Sequence, residues 1–143
     1  MTQGLTDVVA RDTATRAARV LLFSDNATTR RAVRDAVGTV VGAGGVTIAW
    51  TEVATGTAAV AEAVDDGGFD LLILDAEAGK LGGMGVARFV GDEVAAPPPI
   101  LVLIARPQDA WLAAWSGDVE TLTYPADPFE VARTVSRMLG ADA

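Results

Sequence analysis

The chain has 143 residues, enough for one domain with its own hydrophobic core and too few for two domains of ordinary size. It contains no cysteine and no histidine, which excludes disulfides, thiol nucleophiles, Cys/His metal sites and catalysis by an imidazole base. Its formal net charge of −8 argues against direct DNA binding, which needs a concentrated basic patch.

Residues 1–18 are small and polar and carry no apolar run like that of a signal peptide, so they are predicted to be a flexible N-terminal leader. Residues 19–140 are predicted to form a single domain that stands alone. No apolar run in it reaches the roughly 20 residues that cross a bilayer. We therefore expect a cytoplasmic protein without membrane insertion.

Five short apolar runs in this domain predict β-strands. The first, third and fourth are almost continuously apolar, as parallel strands buried on both faces are. The second run is more broken, which is typical of an edge strand. The predicted strands are residues 19–24, 46–50, 70–74, 100–104 and 121–123.

Segments with a helical spacing of apolar residues follow each strand. Gly67 and Gly68 end the second helix, while an acidic start at Asp127 and a stop at Gly140 bound the fifth. A succession of β/α repeats predicts an α/β fold, a doubly wound five-stranded parallel sheet with helices on both faces. The predicted helices are residues 28–37, 55–64, 85–94, 108–115 and 127–139.

Acidic side chains follow two of the predicted strands. Asp25 comes after the first strand and Asp75 after the third, and these strands are usually neighbours in such a sheet. Two carboxylates in a chain without sulfur or imidazole ligands suit a hard cation such as Mg²⁺. Aspartates at such positions are equally often helix N-caps or solvated turn residues, and the residues alone leave both interpretations open.

From the first strand to the fifth helix, the chain resembles the receiver domain of two-component response regulators. The resemblance lies in the apolar run that ends in Asp75, in Asp25, in the glycine-containing loop at 82–85 and in Pro125. It implies a flavodoxin-like fold with strand order 2-1-3-4-5. It also implies that Asp75 is the phosphoacceptor, that Asp25, Asp75 and the backbone carbonyl of Glu77 bind Mg²⁺, and that a histidine kinase or a small phosphodonor supplies the phosphoryl group.

Four positions depart from the family pattern. Ser24 replaces an acidic residue, so the Mg²⁺ site is predicted to be weakened. Ile104 replaces the hydroxyl residue that binds the phosphoryl group in the family, and Thr121 replaces the switch aromatic residue. Tyr124 replaces a lysine that pairs with the phosphoryl oxygens, and phosphoryl transfer depends on such cations. The resemblance therefore implies an atypical receiver with a degenerate switch.

Other residues near the predicted site have two interpretations. Lys80 and Arg106, in flanking loops, either replace the lost cation or are ordinary solvated charges. Tyr124 offers a hydroxyl capable of bonding Asp75. The peptide bond between Tyr124 and Pro125 is predicted to be cis, as the corresponding bond of the family usually is.

Trp111 and Trp115 share one face of the predicted fourth helix. If exposed, they are candidate anchors for a partner protein, or for a homodimer formed through helix four, strand five and helix five. The alternative is that at least one of them packs into the core.

Three functions are compatible with these residues. The first is a single-domain atypical receiver that is not an enzyme and acts in phosphorelay signalling through protein–protein interaction. The second is a phosphorylation-independent pseudo-receiver that senses a small ligand in a pocket made more apolar by Ile104 and Tyr124. The third, a Mg²⁺-dependent hydrolase using Asp25 and Asp75, is disfavoured because no general base or substrate-binding cation is visible.

Overall fold

Strands and helices alternate along most of the described chain, with two successive strands after the first helix. The computed structural model describes residues 17–66, 68–79, 81–111 and 119–141. The strands are β1 (Ala18–Phe23), β2 (Val40–Val41), β3 (Val46–Val53), β4 (Leu71–Asp75), β5 (Ile100–Ile104) and β6 (Glu120–Thr123). The helices are α1 (Ala27–Val37), α2 (Gly56–Ala61), α3 (Gly83–Glu93) and α4 (Pro128–Met138). Nearly all of the predicted leader, together with Lys80 and Trp115, lies outside the described residues.

The strands form one sheet in the order β2-β3-β1-β4-β5-β6. All neighbours from β3 to β6 are parallel, and in chain order these five strands follow the predicted order 2-1-3-4-5. The sixth strand was not predicted: β2 pairs antiparallel with β3 and forms the sheet edge, so the prediction that residues 46–50 lie at the edge is wrong. Gly42 and Gly45, with φ of +76° and +68°, shape the turn that makes this pairing possible.

The core lies on both faces of the sheet, because alternate side chains of the central strands point in opposite directions. Leu21 and Phe23 pack with α2 and α3 on one face, whereas Val20 and Leu22 pack with α1 and α4 on the other. Every residue of β4 and β5 is buried, which explains why these strands are continuously apolar in sequence. The fold is therefore doubly wound, as predicted.

Helix starts are fixed by local caps. The Asn26 side chain accepts hydrogen bonds from the backbone N–H groups of Thr28 and Thr29 at the start of α1. The Asp127 side chain does the same for the N–H of Phe129, and α4 then begins with Pro128 at its first position. Each cap satisfies donors that have no partner inside the helix.

Three helices differ from their predicted bounds by more than one residue. Helix α2 ends at Ala61, and a π-helical turn (Glu62–Asp66) completes the predicted segment. Helix α3 begins at Gly83, two residues earlier than predicted, because Gly83 packs against the end of β4: a Cβ there would lie 2.8 Å from the Asp75 carbonyl carbon. In place of a helix from 108, a 3₁₀ turn (Pro107–Asp109) precedes helical residues at 110–111. Within the described ranges, no helix is long and apolar enough to span a membrane.

Candidate functional site

A small cleft of about 180 Å³ opens where β1, β4, β5 and β6 end. It is the place where ligands bind in open parallel sheets. The structure brings five of the predicted site residues to it and adds Asn26, Thr29 and Leu103, which were not predicted. Thr29 lies one helical turn after Asp25, and this spacing is the sequence signal for it. The cleft is lined by Asp25, Asn26, Thr29, Asp75, Glu77, Leu103, Ile104 and Tyr124.

Asp75 is the last residue of β4, and only 8% of it is exposed. Its Oδ2 accepts a hydrogen bond of 2.7 Å from the Ser24 hydroxyl, and its Oδ1 accepts one of 2.8 Å from the backbone N–H of Glu77. Both oxygens of this buried carboxylate are thus held by neutral donors. Each oxygen keeps a further lone pair for another ligand.

Ser24 is completely buried beside Asp75, because β1 and β4 are paired in a register that sets Phe23 opposite Leu74. The Ser24 hydroxyl also accepts a hydrogen bond of 3.1 Å from the Asn26 N–H. The Ser24 carbonyl accepts one of 2.7 Å from the Arg30 guanidinium. The residue that replaces an acid therefore serves as a donor to the neighbouring acid.

Asp25 is exposed at the rim of the cleft. Its Oδ2 accepts a hydrogen bond of 2.8 Å from the backbone N–H of Gly79 in the loop after β4. Asn26, and not Asp25, caps α1, so the alternative that Asp25 is a helix N-cap is wrong. Asp25 instead fixes the loop after β4 against the end of β1.

The three switch positions, Ile104, Thr121 and Tyr124, differ in their surroundings. Ile104 is 1% exposed and packs in the core that α2 and α3 cover, while its side chain also lines the cleft. Thr121 lies partly buried on β6. Tyr124 lines the cleft next to them, and the peptide bond between it and Pro125 is cis.

The negative charge of Asp75 acts on the hydroxyl group of Tyr124. Burial raises the pKa of Tyr124 above its ordinary value, and the negative charge of Asp75 raises it further. No hydrogen bond joins the two side chains in the described part of the chain, in contrast to the direct bond that the sequence suggested. Tyr124 therefore contributes a partly buried, uncharged side chain to the lining of the cleft.

Arg106, one of the two candidates for a replacement cation, pairs with a neighbouring acid instead of lining the cleft. The Arg106 guanidinium forms two hydrogen bonds with the Asp109 carboxylate, at 3.2 Å and 3.1 Å. This pairing raises the pKa of Arg106 above its ordinary value. Lys80 lies outside the described residues. Among the residues described, no basic side chain lines the cleft.

The oxygen donors of the cleft fit a hard cation only in part. Asp25 and Asp75 supply two carboxylates and Glu77 lines the same cleft, which is a donor set that suits Mg²⁺. In the described ranges, however, no group of three or more acidic side chains is arranged to hold a metal ion.

The indole of Trp111 is exposed: 66% of the residue is accessible. Core packing, one of the two interpretations of the tryptophan pair, is thus wrong for Trp111. Trp115 lies outside the described residues. An exposed tryptophan leaves the interface interpretation available for this surface.

No protein-family model matches the chain. The chain is 45% identical over 127 residues to an uncharacterized response regulatory protein of Mycobacterium tuberculosis, and the match covers 89% of this chain and 95% of that protein. The same protein name and the same identity are found in two strains, CDC 1551 / Oshkosh and ATCC 25618 / H37Rv.

Solved structures agree with this match. The chemotaxis protein CheY4 of Vibrio cholerae superposes with a TM-score of 0.69 at 22% identity, over 85% of this chain and 98% of that one. The receiver domain of the Francisella response regulator 1452 gives a TM-score of 0.71 at 18% identity, over 86% and 97% of the two chains. These likenesses show the fold, which is flavodoxin-like, and the identity to the mycobacterial protein shows the family. The chain therefore belongs to the response regulators of two-component signalling and folds as their receiver domain.

Proposed function

We propose that this chain is an atypical receiver that signals through protein–protein interaction, with Asp75 as its phosphoacceptor and a switch that no longer responds in the usual way. One observation carries the proposal. Asp75 lies at the end of β4 with its carboxylate held by Ser24, in a cleft whose opposite wall is formed by Ile104 and Tyr124. This geometry supports Asp75 as the acceptor, and the absence of a hydroxyl at Ile104 and of a cation at Tyr124 supports an altered response to its phosphoryl group.

The charge balance of the cleft makes phosphorylation of Asp75 slow. An aspartyl phosphate brings about two negative charges into a cleft that no described basic side chain lines. Asp25, Asp75 and the backbone oxygen of Glu77 are the groups that would hold Mg²⁺, which when bound would neutralise part of that charge. With Ser24 in place of an acid, we expect the affinity for Mg²⁺ to be reduced.

The conformational response is the more severely altered part. Ile104 has no hydroxyl for a phosphoryl oxygen, and its side chain is packed in the core, where displacement would open a cavity. Thr121 is no aromatic residue that could turn inward or outward. We therefore propose that the surface of this receiver is essentially the same with and without a phosphoryl group on Asp75.

The partners follow from the family and from the surface. We propose a histidine kinase as the upstream partner and another protein as the downstream one, with no direct DNA binding. Trp111 is an exposed candidate anchor in the segment after β5, and a homodimer through that segment, β6 and α4 is the further expectation. The chain is not proposed to act as an enzyme.

The alternative, a pseudo-receiver that senses a small ligand in the cleft, is favoured by the apolar wall that Ile104 and Tyr124 provide. The volume argues against it. Pockets for drug-sized ligands have roughly 300–1,000 Å³, whereas this cleft has about 180 Å³. A cleft of this size suits a hydrated cation or a small anion better than a metabolite.

Intact-mass spectrometry after incubation with acetyl phosphate and Mg²⁺ tests the proposal. We expect a partial, hydroxylamine-sensitive gain of one phosphoryl group in the wild-type protein and none in Asp75→Asn. Asp25→Asn serves as the matched control, since it removes the exposed carboxylate and should slow the reaction without abolishing the acceptor. Equal labelling of wild type and Asp75→Asn would contradict the choice of acceptor. Rapid stoichiometric labelling of the wild type would contradict the degenerate site.

A further inference from the structure

A second concave surface lies outside the cleft, between α1 and the edge of the sheet. It is a groove of about 720 Å³, several times larger than the cleft at the strand ends. Its chemistry differs from that of the rest of the molecule, because three arginines of α1 face two acidic side chains, and the groove is net positive in a chain of net charge −8. The groove is lined by Ala27, Arg30, Arg31, Arg34, Asp35, Gly38, Thr39, Trp50 and Glu52.

The groove already binds one carboxylate, which belongs to the chain itself. Oε1 of Glu52, on β3, lies 3.2 Å from Nε of Arg30, and its Oε2 lies 2.6 Å from Arg34. Arg30 is held in this position by a second hydrogen bond, of 2.7 Å, to the carbonyl of Ser24. Two guanidinium groups are therefore preorganised around a carboxylate, the arrangement in which arginine recognises acids most strongly.

Cationic and aromatic surface extends beyond this pair. Arg31 is exposed, and no partner for it is found in the described residues. The Trp50 indole N–H donates a hydrogen bond of 2.9 Å to the carbonyl of Gly38, so the ring has no unsatisfied polar group and offers apolar surface to the groove. The groove thus combines positive charge with one aromatic contact.

We infer that this groove, defined by Arg30, Arg31, Arg34, Trp50 and Glu52, binds an acidic segment of a partner protein in which apolar residues separate pairs of carboxylates. Charge complementarity favours this occupant. The chain as a whole is negative and repels an acidic segment, whereas the groove, with three arginines and two acidic residues, attracts it. The same net charge disfavours a nucleic acid, whose extended phosphate backbone reaches past the groove. The inference names a docking surface for the proposed protein partner but needs no phosphorylation of Asp75.

Fluorescence anisotropy with a labelled peptide tests the inference. The probe is a fluorescein-labelled peptide of the repeat Glu-Glu-Leu, and a peptide of equal length with the repeat Lys-Lys-Leu is the control. We expect saturable binding of the acidic peptide at low ionic strength, weaker binding as sodium chloride is added, and no binding of the basic peptide to the groove.

Two exposed arginines give a matched pair of variants. Arg31→Glu lies in the groove, whereas Arg133→Glu makes the same charge change on α4, outside it. We expect Arg31→Glu to weaken binding at least about tenfold and Arg133→Glu to have a much smaller effect. Glu52→Gln should strengthen binding severalfold, because it removes the competing carboxylate. Unchanged melting temperatures would show that the variants are folded.

Four results would overturn the inference. The first two are the absence of saturable binding of the acidic peptide up to about 1 mM and equal losses of affinity in Arg31→Glu and Arg133→Glu. The other two are an unchanged affinity in Glu52→Gln and tighter binding of a single-stranded oligonucleotide than of the peptide. Concentration-dependent dimerisation that Arg31→Glu abolishes would also overturn it, because the occupant would then be a second copy of the chain. Asp75→Asn should bind the peptide normally. A failure of phosphorylation is thereby distinguished from a failure of the groove.

Discussion

The residues at and near the strand ends fall into two halves that differ in chemistry. The acceptor half consists of Ser24, Asp25, Asp75 and Glu77, at the ends of β1 and β4, and keeps oxygen donors throughout. The switch half consists of Ile104 at the end of β5, Tyr124 directly after β6 and Thr121 on β6, and the two of these that line the cleft are apolar and aromatic. Under the proposed function, the difference means that an acceptor site and its readout are separable: one persists as a hydrogen-bonded carboxylate while the other is part of the core.

The largest effect is expected from Ile104→Thr, which returns a hydroxyl to the switch half. Removing buried methyl groups and burying a hydroxyl should lower the free energy of unfolding by about 2–3 kcal/mol. Ile100→Thr, at the other end of β5 and on the same face, is the matched control and should cost at least as much, because its hydroxyl has no cleft to reach. Urea denaturation of both variants gives the values. A loss below about 0.5 kcal/mol for Ile104→Thr would show that Ile104 is not packed as described.

A somewhat smaller effect should come from the hydrogen bond that holds the acceptor half together. Ser24→Ala leaves Oδ2 of the buried Asp75 without its donor and should cost about 1–3 kcal/mol. A double-mutant cycle with Asp75→Asn isolates the pair, and the coupling energy should be about 1 kcal/mol or more. Additive costs would mean that the two side chains do not interact.

The link between the two halves can be measured at Tyr124, the chain's single tyrosine, so tyrosinate absorbance reports this residue alone. Its pKa is raised by burial and by Asp75, and we expect Asp75→Asn to lower it. Since the folded protein holds the phenol proton more tightly than the unfolded chain, the free energy of unfolding should fall as the pH rises past about 10. Tyr124→Phe should remove that fall. An identical titration in wild type and Asp75→Asn would show that the charge of Asp75 does not affect the pKa of Tyr124.

The smallest effect on stability is expected from Trp111→Ala, because the indole is mostly exposed. The free energy of unfolding should change by less than about 0.5 kcal/mol. If the surface around Trp111 is a protein interface, analytical ultracentrifugation should show a loss of self-association, or partner capture should show a loss of binding. Wild-type behaviour in both experiments would remove Trp111 from that role.

Local signals and non-local contacts differ in how far the sequence predicts them. The start of α4 follows from Asp127 and Pro128, and the strand order follows from the family resemblance. The edge strand β2 was missed because two residues give no periodicity, and its pairing depends on a glycine turn. The pairing of Arg106 with Asp109, three residues on, was open to prediction from spacing. The bond between Ser24 and Asp75 was not, because it depends on the register of β1 against β4.

The most direct test of the degenerate switch is a titration with Mg²⁺ in the presence and absence of beryllofluoride, followed by tryptophan fluorescence, on wild type and Asp75→Ala. Trp111 is exposed in the segment that follows β5, whose last residue is Ile104, and it reports a rearrangement of that segment. The account predicts no change that depends both on beryllofluoride and on Asp75 at millimolar Mg²⁺. A saturable change in the wild type that disappears in Asp75→Ala would contradict it, because Ile104 and Tyr124 would then still transmit the state of the acceptor.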